Sequence, residues 1–203
     1  GKYAFHGAIL GQQEFLSLKD LHSDLCIHVG EVTGSYPLEN LARNTDNVWR
    51  VSKDGEIKDR FKKLDAVFEM SEHFFFRHYV EDGNDIHTDE FLDRFNATYQ
   101  KIYDAIPENI PFSNIWIAKT LAPLLTENSV LHLGVLNSIR SWNMFKIPSS
   151  ICGYANVGGF GIDGGMSSMI GSSFIHPNKV FYGIFGDLAF FYDMNSLAIR
   201  EVK

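Results

Sequence analysis

The sequence predicts an α/β fold in which mostly parallel sheets are flanked by helices. Buried-strand patterns alternate with helical patterns along the chain, and three of the strand-like runs lead directly into glycine. With 203 residues, 45% of them hydrophobic, the chain is long enough to bury a core of this kind.

The elements follow in order. Residues 14–21, EFLSLKDL, carry apolar side chains at helical spacing, and 24–31, DLCIHVGE, read as a buried strand ending at a glycine. Residues 37–44, PLENLARN, open on a proline suited to a first helical turn, and 47–52, NVWRVS, alternate as a strand does. DAVFEM, 65–70, is a third strand whose pattern also fits a helix. These elements predict a small, mostly parallel unit over residues 1–80.

Residues 81–90 are the expected linker, within the acidic, aperiodic stretch YVEDGNDIHTDE with its Asp82-Gly83 turn signal. Asp82, Asn84 and Asp85 resemble a calcium loop only loosely, because the required glycine and distal glutamate are out of position. A second unit is expected over 91–203. Its first helix, 89–106, aligns apolar residues 91, 92, 95, 99, 102, 103 and 106 on one face. A helix over 112–125 starts after Ser113 as N-cap, and NSVLHLG, 128–134, is a strand. SSICGYAN reads poorly as a strand. A helix over 164–175 rich in small residues follows, then a strand over 179–185, Gly186-Asp187, and a helix through LAFFYDMNSLAI.

Eighteen Lys plus Arg against 25 Asp plus Glu give a net charge of −7, which disfavours nucleic acid as a partner. No apolar run approaches the roughly 20 residues of a membrane span. Cys26 and Cys152 lie far apart without metal-ligand spacing, as in a reducing compartment, so a cytoplasmic protein is expected. Neither has a basic neighbour in sequence to activate it. His73 and His78 are five apart, not the i, i+4 spacing of a helical zinc pair, and His176 falls at a helix end where a cation suits the dipole. The chain opens GKYAFHG without methionine and stops at LAIREVK, and it reads as a fragment.

The chemistry concentrates in YANVGGFGIDGG, 154–165, and FGDLA, 185–189. Gly159, Gly161 and Gly164 satisfy G-x-G-x-x-G before a helix, and Asp187 follows Gly164 by 23 residues, near the spacing of a ribose-binding acid. This supports a nicotinamide-dependent oxidoreductase, against which stands Asp163, an acid inside a loop that should present only donors. In the other reading, Asp187 holds a divalent cation that in turn holds a diphosphate. Hard carboxylate oxygen suits Mg²⁺, which needs only one or two protein carboxylates when phosphates complete its shell. The N–H groups of the helix after Asp187 would add donors to the same phosphates.

ANVGGFGIDGGMSS followed by GDLAFFYDMNSL resembles the thiamine-diphosphate enzymes, and among them the 2-succinyl-5-enolpyruvyl-6-hydroxy-3-cyclohexene-1-carboxylate synthases of menaquinone biosynthesis. That family carries an Asn-Arg-Gly loop running into Gly-Ile-Asp-Gly, then Gly-Asp-Leu and Asp-Leu-Asn-Gly-Leu. The resemblance covers residues 91–203, and more faintly HSDLCIHVGE, like the family's central domain. It implies a truncated thiamine-diphosphate-binding fold with thiamine diphosphate and Mg²⁺ as cofactors. Asp187 would be the metal ligand, Gly186 the sharp turn, and Leu188 and Ala189 the start of the phosphate-facing helix. Gly161 would belong to the cofactor loop and Ile162 would be the apolar wedge that bends the cofactor. In GVLNSIRSWNMF, 134–145, Arg140 would bind a substrate carboxylate. The implied reaction is decarboxylation of a 2-oxo acid and addition of the product to an acceptor, in a homodimer or homotetramer when full length.

This chain departs from the family at four positions. Val157 replaces the loop arginine, Phe160 a serine, and Val135 and Leu136 an Asn-Ser pair, although Asn137-Ser138 could slide toward that pair in another register. Each lost polar contact to an anion removes on the order of 1.5–3 kcal/mol, so a less anionic 2-oxo acid is expected as substrate. The family's activating glutamate and its downstream cation-binding asparagine have no counterpart in these residues, so this stretch alone is expected to be inactive. A degenerate, non-catalytic relative is the third possibility.

Overall fold

The computed structural model describes residues 21–30, 36–81, 90–157 and 161–201. The fold is α/β, and every strand pairing is parallel. The chain divides into two compact units, one ending at Ile106 and the other beginning at Pro107. The helix 90–104 therefore stands with the first unit.

The first unit contains a sheet of order β1-β2-β3, from Ser23–Val29, Thr45–Ser52 and Leu64–Glu69. Helix α1, Tyr36–Arg43, makes the parallel crossover from β1 to β2. A core of Ala42, Val48 and Phe61, with Cys26 and Leu64 packed against it, lies beneath. Burial pushes the Cys26 thiol up, away from the reactive thiolate form. Arg50 on β2 is fully buried and donates from Nε to Glu56 O and from Nη1 to Gly30 O, each at 3.1 Å. Asp54, held below the usual carboxylate range by the Ser52 hydroxyl and the Glu56 amide, stands 3.6 Å from its guanidinium. Glu39 in α1, 5% exposed, accepts from Arg60 at 2.7 Å.

Helix α2, Glu72–Glu81, occupies a stretch without a clear sequence pattern. Phe74, Phe75 and Phe76 fit either period, and only Phe75 turns inward. The Ser71 hydroxyl accepts from the Phe74 amide at 3.3 Å and starts the helix. Residue 81 of the expected linker belongs to α2; residues 82–89, with the calcium-like Asp82, Asn84 and Asp85, lie outside the described residues, as do residues 14–20 of the helix expected over 14–21. Helix α3, Glu90–Asp104, buries Phe95, Tyr99 and Ile102 of the expected face and leaves Phe91 and Tyr103 half-exposed. Burial pushes the Tyr99 hydroxyl up to about 12.

The second unit starts with α4, Asn114–Leu121, capped as expected: the Ser113 hydroxyl accepts from the Trp116 amide at 3.2 Å. Pro123 then tightens the chain into a 3₁₀ turn over Ala122–Leu124, ending the helix earlier than its apolar pattern suggested. Its sheet has the order β5-β4-β6, from Cys152–Ala155, Val130–Leu133 and Phe181–Ile184. All four residues of β4 are buried, so the central strand is the floor of this unit. SSICGYAN does contain a strand, which corrects the sequence reading: Ser150 fixes its entry by accepting from the Asn128 amide at 3.2 Å, and β4 supplies the ladder. Helix α5, Asn137–Trp142, fills a stretch read only as a loop, and α6, Gly165–Ile175, follows the glycine loop. The helix expected beyond Asp187 forms as two pieces, α7 at Asp187–Tyr192 and a 3₁₀ segment at Met194–Ala198. Asp193, which competes for backbone groups, sits at the break.

Among the described residues, no helix is long and apolar enough to cross a membrane. Cys26 and Cys152 are both free.

Candidate functional site

Because β4, β5 and β6 are parallel, their C-terminal ends open on one side of the sheet, where α/β folds bind ligands. The loops leaving these strands enclose a cavity of about 180 Å³. The β4 loop contributes Gly134 to Ser138, the β5 loop Asn156, Gly161, Ile162 and Gly165, and the β6 loop Phe185 to Ala189. The volume suits part of a small ligand, since pockets enclosing a drug-sized one run to about 300–1,000 Å³.

Six of the seven predicted site residues meet here: Gly161, Ile162, Gly186, Asp187, Leu188 and Ala189. Arg140 does not line the cavity; it is exposed on α5, its amide donating to Leu136 O at 2.9 Å. Gly164 is the N-cap of α6 at φ 76°, a conformation that does call for glycine. Gly159 and Phe160 lie outside the described residues. Val135 and Leu136 line the cavity, and so do Asn137 and Ser138, whereas Val157 is half-buried away from it.

Asp187 is the first residue of α7 and its side chain is exposed. Its Oδ1 accepts from the Leu188 amide at 2.8 Å, while Oδ2 has no hydrogen bond among the described residues. Among those residues no three His, Cys, Asp or Glu side chains converge on one point, so Asp187 is the lone carboxylate lining the cavity. Gly186 has φ −68° and ψ 159°, which any residue adopts. The sharp turn expected of it does not exist, and a Cβ there would meet no atom within 4 Å. Neither backbone nor packing requires glycine at 186; its smallness leaves room beside the cavity.

The glycine loop is fixed from both sides. Asn156 Nδ2 donates to Asp163 O at 2.8 Å, tying the end of β5 to the start of α6. The Asp163 carboxylate turns back onto Gly161, where a Cβ would collide with it. That carboxylate occupies the loop a pyrophosphate would need, although the strand now found before the loop gives the nicotinamide reading its structural context. At the far end of α6, His176 takes the C-cap position.

Phe185 also lines the cavity. A Cβ on Gly134, Gly165 or Gly183 would come within 3.3, 2.9 and 2.6 Å of its ring carbons. Three glycines from three elements thus shape a slot for one ring. Gly183 is adjacent in sequence, two residues before Phe185, whereas Gly134 and Gly165 reach the ring only through the fold and leave no signal in the sequence. Asn156, which the sequence reading did not single out, is the polar residue that ends β5 and ties the loop.

No protein-family model matches the chain. Curated relatives do. Over 154 residues the chain is 30% identical to the 2-succinyl-5-enolpyruvyl-6-hydroxy-3-cyclohexene-1-carboxylate synthase of Bacteroides thetaiotaomicron, covering 73% of this chain and 26% of that one. The synthase of the same name from Phocaeicola vulgatus is 29% identical over 184 residues, 88% of this chain and 32% of the relative. That of Christiangramia forsetii is 39% identical over 88 residues, 43% of this chain and 15% of the relative. The chain thus spans about a quarter to a third of the two longer matches.

Proposed function

Proceeding from a chain similar over 73% of its length to a menaquinone-pathway synthase, we propose that its second unit is part of the diphosphate-binding domain of a thiamine-diphosphate-dependent enzyme. The observation that carries this reading is the single cavity on which Gly161, Ile162, Gly186, Asp187, Leu188 and Ala189 meet. In the intact protein the reaction is decarboxylation of a 2-oxo acid and addition of what remains to an acceptor. The whole enzyme is read as a cytoplasmic homodimer or homotetramer.

The residues present fit Mg²⁺ and a diphosphate. Asp187 presents one uncommitted hard oxygen, and Gly186 leaves an open approach that no packing demand explains. Thiamine diphosphate, when bound, supplies the electron sink that makes loss of carbon dioxide from a 2-oxo acid accessible. Asp187 would hold the cation. The Leu188 amide is taken up by Asp187 Oδ1 and orients that carboxylate, so the Ala189 amide would be the one to face the phosphates, although α7, at six residues, adds only a short dipole. Ile162, half-buried in the cavity wall, would hold the bent shape of the cofactor, and Phe185 lines the same wall. Arg140, exposed beside the cavity loop, would bind the carboxylate of the 2-oxo acid.

Calorimetry on the full-length protein tests this. Thiamine diphosphate should bind only with Mg²⁺, and Asp187→Ala should abolish it. Binding of a nicotinamide dinucleotide without metal would overturn the reading in favour of an oxidoreductase. Binding of neither would leave a non-catalytic relative.

A further inference from the structure

Helix α6 starts without a cap of its own. Its N-cap, Gly164, stands at φ 76°, where the loop calls for glycine, and a glycine has no side chain to accept from the first amides of the helix. An N-cap side chain ordinarily accepts from the second or third amide. Here Oδ2 of Asp193 accepts from the amide of Ser167, the third residue of α6, at 2.6 Å. The cap has moved from the glycine loop to a carboxylate 26 residues downstream, on the segment that carries Asp187.

Asp193 is itself braced. Its amide donates back to Phe190 O in α7 at 3.3 Å, and its carbonyl accepts from the Ser196 amide at 3.0 Å and the Ser196 hydroxyl at 2.7 Å, with Ser196 buried. The same segment meets the start of α6 a second time at Phe185, whose ring leaves no room for a Cβ on Gly165. Asp187 lies between these two points of contact. On the other side of the loop, Asn156 holds the carbonyl of Asp163. Ile162 falls between the ties and lines the same cavity as Asp187.

A cap on the loop itself would stabilise α6 as well and leave the two loops independent. The cap observed makes the order of the glycine loop depend on the order of α7. Resting on the proposed cofactor reading, we infer that Asp193 is a positioning residue: its carboxylate locks the helix behind Ile162 to the segment bearing Asp187, so that filling the cation and diphosphate seat also sets the Ile162 wall. The same carboxylate fills the helix N-terminus at which a dinucleotide pyrophosphate would sit, which separates this arrangement from the nicotinamide one.

The test uses the full-length protein and two probes, Mg²⁺ with inorganic pyrophosphate and Mg²⁺ with thiamine diphosphate. Pyrophosphate lacks the rings that Ile162 would face, so any ordering it brings to residues 161–170 passes through the protein. In the wild type, hydrogen exchange over those residues should slow about tenfold with either probe. Asp193→Ala should lose the slowing with pyrophosphate, bind thiamine diphosphate about tenfold more weakly by calorimetry, and keep its pyrophosphate affinity within about twofold. Asp193→Asn, which retains an accepting oxygen, should restore most of both effects. Ser113→Ala, which removes the cap of α4, should behave as the wild type and so separates positioning from a general loss of stability. An alanine variant that keeps the pyrophosphate-induced slowing, or that weakens both probes equally, overturns the inference and leaves the cofactor reading intact. The same holds if Ser113→Ala shows the same losses, if the wild type binds both probes without slowing, or if it takes up thiamine diphosphate but not pyrophosphate. A wild type that binds neither probe removes the cofactor reading and the inference with it.

Discussion

The backbone N–H of Ser167 donates to Oδ2 of Asp193 at 2.6 Å. Ser167 is the third residue of α6 and Asp193 lies at the break after α7, so a carboxylate 26 residues downstream caps the helix that follows the glycine loop. An acid in the first turn is favoured both by the bond and by the dipole. Asp193→Ala should therefore destabilise the second unit by about 1–2 kcal/mol, measured by denaturant unfolding, while Asp193→Asn should recover most of it. No loss in the alanine variant would show the contact to be incidental.

Gly186 and Asp187 separate room from ligation. Since none of the described residues fills the space beside Gly186, Gly186→Ala should leave stability within about 0.5 kcal/mol of wild type and yet weaken Mg²⁺-dependent thiamine diphosphate binding. A glycine kept only for folding would give the opposite pattern.

Gly183 is the converse case. Its Cβ would lie 2.6 Å from Phe185 and 2.7 Å from Met169 Sδ. The thioether can swing aside but the ring, set among glycines, cannot, so Gly183→Ala should cost about 1–3 kcal/mol. The double variant with Phe185→Leu should regain part of that loss.

His132 sits in the middle of β4, 7% exposed, its Nε2 unpartnered, with the rings of Tyr154 and Phe181 at 5.2 and 6.3 Å. Burial lowers its pKa, so the fold favours the neutral ring. The unfolded chain then binds the extra proton first as pH falls below about 6.5. The stability from the neutral ring is complete above that value and declines on acidification until the folded form protonates too. His132→Phe should flatten the acid side of a stability-against-pH curve; an unchanged slope would assign the acid sensitivity elsewhere.

In the first unit, Arg50→Ala empties the space of a fully buried side chain and removes its hydrogen bonds to the carbonyls of Gly30 and Glu56. A loss on the order of 3 kcal/mol is expected, visible as a lowered denaturation midpoint.

How much of this could be read from the sequence depended on whether a signal was local. The strands 23–29, 45–52, 64–69, 130–133 and 181–184 fall close to where apolar runs and glycines placed them, and Ser113 caps as its residue type suggests. The cavity residues of GIDG and GDLA were legible because loops leaving parallel strands must meet at one end of the sheet. What escaped was set at a distance. CGYA becomes a strand through its ladder with β4, and three phenylalanines in a row conceal the period of α2. Phe185 matters because Gly134 and Gly165, from two distant segments, join Gly183 of its own strand around the ring. One role was misjudged from residue type alone: Gly186 makes no special turn.

Each three-stranded sheet leaves its outer strands paired on one side only among the described residues. In the second unit these are Cys152–Ala155 and Phe181–Ile184, the strands that deliver Asn156 and Asp187 to the cavity. Their outward rows of N–H and C=O groups can accept another strand. A strand added at either edge would pair with the four-residue strand that leads to Asn156 or to Asp187.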